Sequence, residues 1–173
     1  MKFLVTLSVL FLSLYATAQN DIFEAIRQGD SNPVQDILRY DATASNSINS
    51  IGYSPLIVAS YSGKKEIVSL LIAFGADVNF DTDYGDALMA AVKNNHTEIV
   101  EILLTNSADP NESDLRRKTP LLIAVLNENF AIVDLLMKTG ADQFKKDDLG
   151  TSAFDYSKDN KLKEILAIFK KYQ

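Results

Sequence analysis

The chain has 173 residues, with 23 Asp and Glu against 17 Lys and Arg, a formal charge of −6, one histidine and no cysteine. Lack of cysteine excludes disulfides, thiolate catalysis and thiolate-held metals, so a core of apolar side chains must carry the stability. An acidic balance is unsuited to nucleic acid or anionic membranes and favours a basic protein partner through long-range steering.

Residues 1–18 read as a cleavable leader. Met1-Lys2 is a short positive start, Phe3–Tyr15 is almost wholly apolar, and Ala16-Thr17-Ala18 is a small-x-small cleavage signature. The apolar run is shorter than the ~20 residues that span a bilayer as a helix. No cysteine follows it to carry a lipid. The expectation is a cut after Ala18, a periplasmic or secreted mature chain, and no stable membrane insertion afterwards. Removing residues 1–18 takes away Lys2 and no acid, leaving the mature chain one unit more negative.

From residue 19 onward the chain repeats itself. Gly52–Asn79, Tyr84–Asn111 and Arg117–Phe144 align over their full lengths. Ala59, Ala91 and Ala124 correspond at spacings of 32 and 33, as do Val68, Val100 and Val133, and the pairs Leu70-Leu71, Ile102-Leu103 and Leu135-Leu136. A fixed period in this range signals stacked supersecondary units. Each unit reads as two helices. Ser54 and Thr119 are hydroxyl caps, followed by Pro55 and Pro120 at N1, where a missing N–H costs nothing. The small alanines allow close helix approach, and Ile67, Val68, Leu70 and Leu71 form the apolar stripe of the second helix. Gly75 and Gly140 end that helix in a left-handed conformation. Asp77, Asp109 and Asp142 are then turn residues rather than catalytic acids.

These stretches, "SPLIVA" and "TPLLIA" at the helix starts, "EIVSLL", "EIVEIL" and "AIVDLL" in the second helices, and "GADVN", "SADPN" and "GADQF" after them, resemble the ankyrin repeat. The resemblance implies an all-α solenoid of helix-turn-helix units joined by β-hairpin-like turns. It covers a single domain over 19–173: an N-terminal cap at 20–45, repeats at about 46–79, 80–111 and 112–144, and a C-terminal cap at 145–173. The histidine of the family's T-P-L-H stretch is absent, with Ile57, Met89 and Leu122 in its place. The second unit is one residue short around Gly85-Asp86-Ala87, has neither a hydroxyl cap nor a proline at the start of its first helix, and carries Ser107 where its neighbours have glycine. On that reading the middle unit is the least stable.

Other motifs weigh little against this register. His96 lies in an inter-helix loop without a second histidine or cysteine to share a metal or a proton. Asp81–Asp86 has the acids of a calcium loop but the wrong spacing, with Gly85, Asp86 and Val92 where Asx, Gly and Glu belong. No nucleophile elbow, P-loop or dinucleotide fingerprint occurs. Two N-glycosylation sequons begin at Asn95 and Asn111.

The resemblance implies a non-catalytic module, monomeric when free and needing no cofactor or metal. Its protein partner docks on the hairpin tips and the concave surface of the first helices. In this numbering those positions are Ile51, Tyr53 and Tyr61 in the first unit, Asp83, Tyr84, Asp86 and Lys93 in the second, and Leu115, Arg116, Lys118, Leu126 and Asn127 in the third. Large apolar side chains at positions free of packing mark an interaction surface. The role is a scaffold or accessory protein, or an immunity-type inhibitor of a toxin. The alternative is an enzyme, or a ligand- or metal-binding protein, built on hairpin-tip carboxylates such as Asp83 and Asp86.

Overall fold

The computed structural model describes residues 21–172. The leader expected at residues 1–18 lies outside them.

Ten α-helices, paired in order, make five units among the described residues: α1 (Ile22–Gln28) with α2 (Ser31–Tyr40), α3 (Pro55–Tyr61) with α4 (Lys65–Ala73), α5 (Ala87–Lys93) with α6 (Thr97–Thr105), α7 (Pro120–Leu126) with α8 (Phe130–Lys138), and α9 (Ala153–Asp159) with α10 (Lys163–Lys171). A 3₁₀ turn, Ala42–Asn46, follows α2. Beta structure among the described residues is confined to one antiparallel bridge, Lys146 to Ser152. No described helix is long and apolar enough to cross a membrane.

Each first helix begins at a side-chain cap that recurs every 32 or 33 residues: Asp21, Ser54, Asp86, Thr119 and Ser152. Ser54 Oγ accepts from Ile57 N at 3.3 Å, and Thr119 Oγ1 from Leu122 N at 3.2 Å. The second unit does not lose its cap, as the sequence suggested. Asp86 Oδ1 accepts from Met89 N at 2.8 Å, so a carboxylate replaces the hydroxyl. The residue deleted is the one between the turn glycine and the cap, the place of Tyr53, Lys118 and Thr151.

Successive first helices stack on one another, and successive second helices do the same. Ala59, Ala91 and Ala124 are fully buried at the contacts, and Val68, Val100, Val133, Leu71, Leu103 and Leu136 line the layer between the two helix rows. Ile57, Met89 and Leu122, which stand where the family carries histidine, are buried too, so packing replaces that polar group. Helix α5 buries six of its seven residues. A continuous core of this kind exists only because each unit covers its neighbour's apolar face.

Polar links reinforce the stack. Asn79 Oδ1 accepts from Asp109 N at 2.9 Å while its Nδ2 donates to Ser107 O at 3.1 Å. Asn111 does the same to Asp142 N at 2.7 Å and Gly140 O at 3.1 Å, and Asn46 to Asp77 N at 2.7 Å and Gly75 O at 2.8 Å. Phe144 occupies the next position of this series and packs against Phe154 at a tilt of 50°, ring centroids 5.2 Å apart. Gly75 and Gly140 adopt φ of 83° and 91° as expected, and Ser107 is forced to 67° at the equivalent point.

Candidate functional site

Four hairpin turns precede the first helices α3, α5, α7 and α9, and each is pinned by a short polar side chain that reaches over its own backbone. Asn49 Oδ1 accepts from Ile51 N and Tyr53 N at 3.1 and 2.9 Å. Thr82 Oγ1 accepts from Tyr84 N at 3.2 Å and donates to Gly85 O at 2.7 Å. Asp114 Oδ1 takes Arg116 N and Lys118 N, both at 3.0 Å, and Asp147 Oδ1 takes Leu149 N and Thr151 N at 3.0 and 2.9 Å. These local bonds add to a backbone bond across three of the turns, Asn49 N to Tyr53 O, Asp114 N to Lys118 O and Asp147 N to Thr151 O. The turn ends in a left-handed residue, Gly52, Gly85 or Gly150 in three hairpins and Arg117, at φ 57°, in the other.

Neighbouring turns are also stitched together. Leu115 N donates to Asp83 O and Asp148 N to Arg116 O, each at 3.1 Å. Lys93, at the end of α5, donates Nζ to Tyr84 O at 2.8 Å and lies 3.6 Å from Asp114 Oδ2. That lysine is therefore a tie between the second and third hairpins. Tyr53 packs on the core and meets Tyr84 edge to face, 6.4 Å between centroids and 88° between planes. Asn127 is engaged by Val92 O at 3.3 Å and Asn95 Oδ1 at 3.4 Å.

With those side chains occupied, the exposed set is clear. Ile51, Tyr61, Tyr84 and Leu115 are 68%, 63%, 67% and 70% exposed, with Leu126 at the edge of exposure. Asp83 and Arg116 are exposed and Lys118 half-buried. Leu149 was not expected on this surface and is the most exposed of the large apolar tip residues, at 82%. Its signal was the register of Asp147-Asp148-Leu149-Gly150 with Asn49-Ser50-Ile51-Gly52, hidden by reading the last unit only as a cap.

Asp86 departs from its expected place. It is buried, not at the hairpin tip, so it offers no carboxylate to a partner or substrate. Its Oδ2 has no hydrogen-bond partner. Burial pushes its carboxyl up to about 6, opposed by the Met89 N–H and reinforced by the Asp81 and Glu112 carboxylates. Burial likewise raises Asp81. Asp83 and Asp86 thus do not present a shared acid pair, and the described residues contain no group of three or more His, Asp or Glu disposed to hold a metal. His96 has a structural contact: Nε2–H donates to Tyr61 O at 3.2 Å across the unit boundary. Gly63 makes room for the ring, since a Cβ there would sit 2.8 Å from His96 Cε1.

A family model described as "Ankyrin repeats (3 copies)" matches residues 22–114, and one described as "Ankyrin repeat" matches residues 116–148. The chain belongs to the ankyrin-repeat family. Among curated proteins, this ankyrin array is 35% identical over 142 residues to the ankyrin repeat and KH domain-containing protein mask-1 of Caenorhabditis elegans, covering 82% of the chain and 5% of that protein. It is 27% identical over 150 residues to the mitochondrial disaggregase of Bos taurus, covering 84% of the chain and 22% of that protein. A putative ankyrin repeat-containing protein of Treponema pallidum (strain Nichols) is 35% identical over 109 residues, 62% of the chain and 37% of that protein. The array thus spans a minor part of the length of these relatives.

Proposed function

We propose that this ankyrin array is an exported, non-catalytic recognition module that docks a protein partner on the face formed by its hairpin tips and first helices. The observation that carries the reading is the set of large apolar side chains, Ile51, Tyr61, Tyr84 and Leu115, standing in solvent where the stack does not need them. Contiguous exposed apolar surface on a soluble protein marks an interaction site, and tyrosine is enriched among residues that dominate binding energy. The leader-like residues 1–18 support export to the periplasm, and the acidic charge supports a basic partner whose association slows as salt is raised.

The test is capture of the partner by the mature chain from an extract of its own compartment, compared with Tyr61→Ala/Tyr84→Ala/Leu126→Ala. The variant is expected to lose affinity by tenfold or more, each tenfold being about 1.4 kcal/mol. Full retention of the partner by a folded variant sinks the proposal. Assaying the partner with and without the chain then separates the two roles: a scaffold leaves or raises its activity, and an immunity-type inhibitor abolishes it.

A further inference from the structure

The third hairpin differs from the others in charge. The residue just before the left-handed one is Ile51, Tyr84 or Leu149 in three hairpins and Arg116 in the third. The left-handed residue itself is glycine in those three and Arg117 here, at φ 57°. Lys118 follows. Arg116 and Arg117 are exposed and Lys118 is half-buried. Two adjacent departures from the register, both to arginine, put positive charge where the array otherwise places an apolar side chain and glycine. An arginine in a backbone conformation that suits glycine is a local cost that the turn does not require.

The acids of this hairpin and the next do not neutralise it. Asp114 Oδ1 is taken by Arg116 N and Lys118 N, and its Oδ2 lies 3.6 Å from Lys93 Nζ. Glu112 Oε1 accepts from Ser113 N at 3.2 Å, and its charge acts on Asp81. Asp147 Oδ1 is spent on Leu149 N and Thr151 N. No ion pair among the described residues includes Arg116, Arg117 or Lys118. A chain of formal charge −6 thus carries a compact cationic tip without an internal counter-charge.

The surroundings limit what can fill it. The bonds from Leu115 N to Asp83 O and from Asp148 N to Arg116 O bring two exposed aspartates to either side of the tip. A nucleic acid strand or an anionic bilayer extends its charge past one hairpin and would press on both aspartates. One or two carboxylates do not. Exposed Leu115 beside the arginines, with Tyr84 and Leu149 on the neighbouring tips, offers apolar contact around the charge. A guanidinium holds a carboxylate through two parallel N–H···O bonds, and arginine is among the residues that dominate binding energy.

We infer that the third hairpin reads an acidic spot on the protein partner: one or two carboxylates seated on Arg116 and Arg117, between apolar side chains that reach Leu115 and Tyr84. A partner that is basic overall then carries a local exception at this hairpin. The inference rests on the protein-binding reading above.

Selection of random phage-displayed dodecapeptides on the full mature chain tests it, with the enriched peptides resynthesised for fluorescence anisotropy. The enriched sequences are expected to hold one or two Asp or Glu between apolar residues. Changing those acids to Asn or Gln should weaken binding by about tenfold or more. Arg116→Gln/Arg117→Gly should weaken the acidic peptide equally and erase its advantage over the amide peptide. The turn survives both changes, since Asp114 holds main-chain N–H groups and glycine suits the backbone at 117. Enrichment of peptides without acids, or an acid preference that persists in the variant, overturns the inference. Tighter binding of oligothymidylate or of phosphatidylglycerol vesicles than of the acidic peptide, lost in the same variant, overturns it in favour of a polyanion. Neutral peptides that are lost on Tyr84→Ala/Leu115→Ala would keep the docking face and sink the acidic spot; no enrichment at all sinks the docking face and this inference with it.

Discussion

Replacing Asp86 by serine tests the reading of the second unit as a stack that tolerates a buried, half-satisfied carboxylate. Ser54, Thr119 and Ser152 show that a hydroxyl suffices at this cap. The Asp86 carboxyl is held at about 6 in the folded chain against 3.8 in the unfolded one, mainly by burial. The folded state therefore binds this proton more tightly, and ionisation costs stability. The penalty is fully present above pH 6, shrinks as pH falls through 6, and is gone below about 4. At ~1.36 kcal/mol per pKa unit, it amounts to about 3 kcal/mol at neutral pH. Asp86→Ser keeps a cap and removes the charge, so its urea midpoint should exceed that of the parent at pH 7.5 and approach it near pH 4.5, followed by far-ultraviolet circular dichroism. A variant less stable than the parent at pH 7.5, or a stability difference that does not change with pH, would refute the reasoning.

Two other substitutions probe the joints between units. Ser107→Gly relieves a left-handed backbone at φ 67° where Gly75 and Gly140 stand in the neighbouring units, and should raise unfolding stability by about 1 kcal/mol, read from denaturant titration; no gain would mean that Ser107 is not strained. Asn111→Ala removes the bonds to Asp142 N and Gly140 O together and should cost about 2 kcal/mol, with amide exchange rising first at Asp142 rather than across the whole array.

Much of the fold was legible because the repeat imposes local requirements that recur at a fixed spacing. Hydroxyl caps before proline, small residues at helix contacts and glycine after the second helix each follow from the chemistry of a helix end or a close approach, without knowledge of the neighbour. The candidate surface was legible in part: Ile51, Tyr61, Tyr84 and Leu115 stand exposed as their register positions suggested. Leu149 was passed over because a terminal unit was read only for its polar finish.

Other features required the tertiary structure because they depend on where one residue is missing, or on partners tens of residues away. Asp86 reads as a tip acid or a buried cap according to which side of it the deletion falls, and only the packed α5 shows that the carboxylate points inward to Met89 N. Lys93 has the composition of a free surface cation, yet it closes on Tyr84 O and Asp114, which the neighbouring unit supplies. Asn46 has no repeat-like sequence around it and still bonds Gly75 and Asp77, a turn some thirty residues on. The sequence by itself determined the unit, its helices and their period, since those are set by short-range capping and apolar spacing. Tertiary structure decided which charged side chains stack, cap or stay in solvent, since that depends on the field and the space contributed by the next unit.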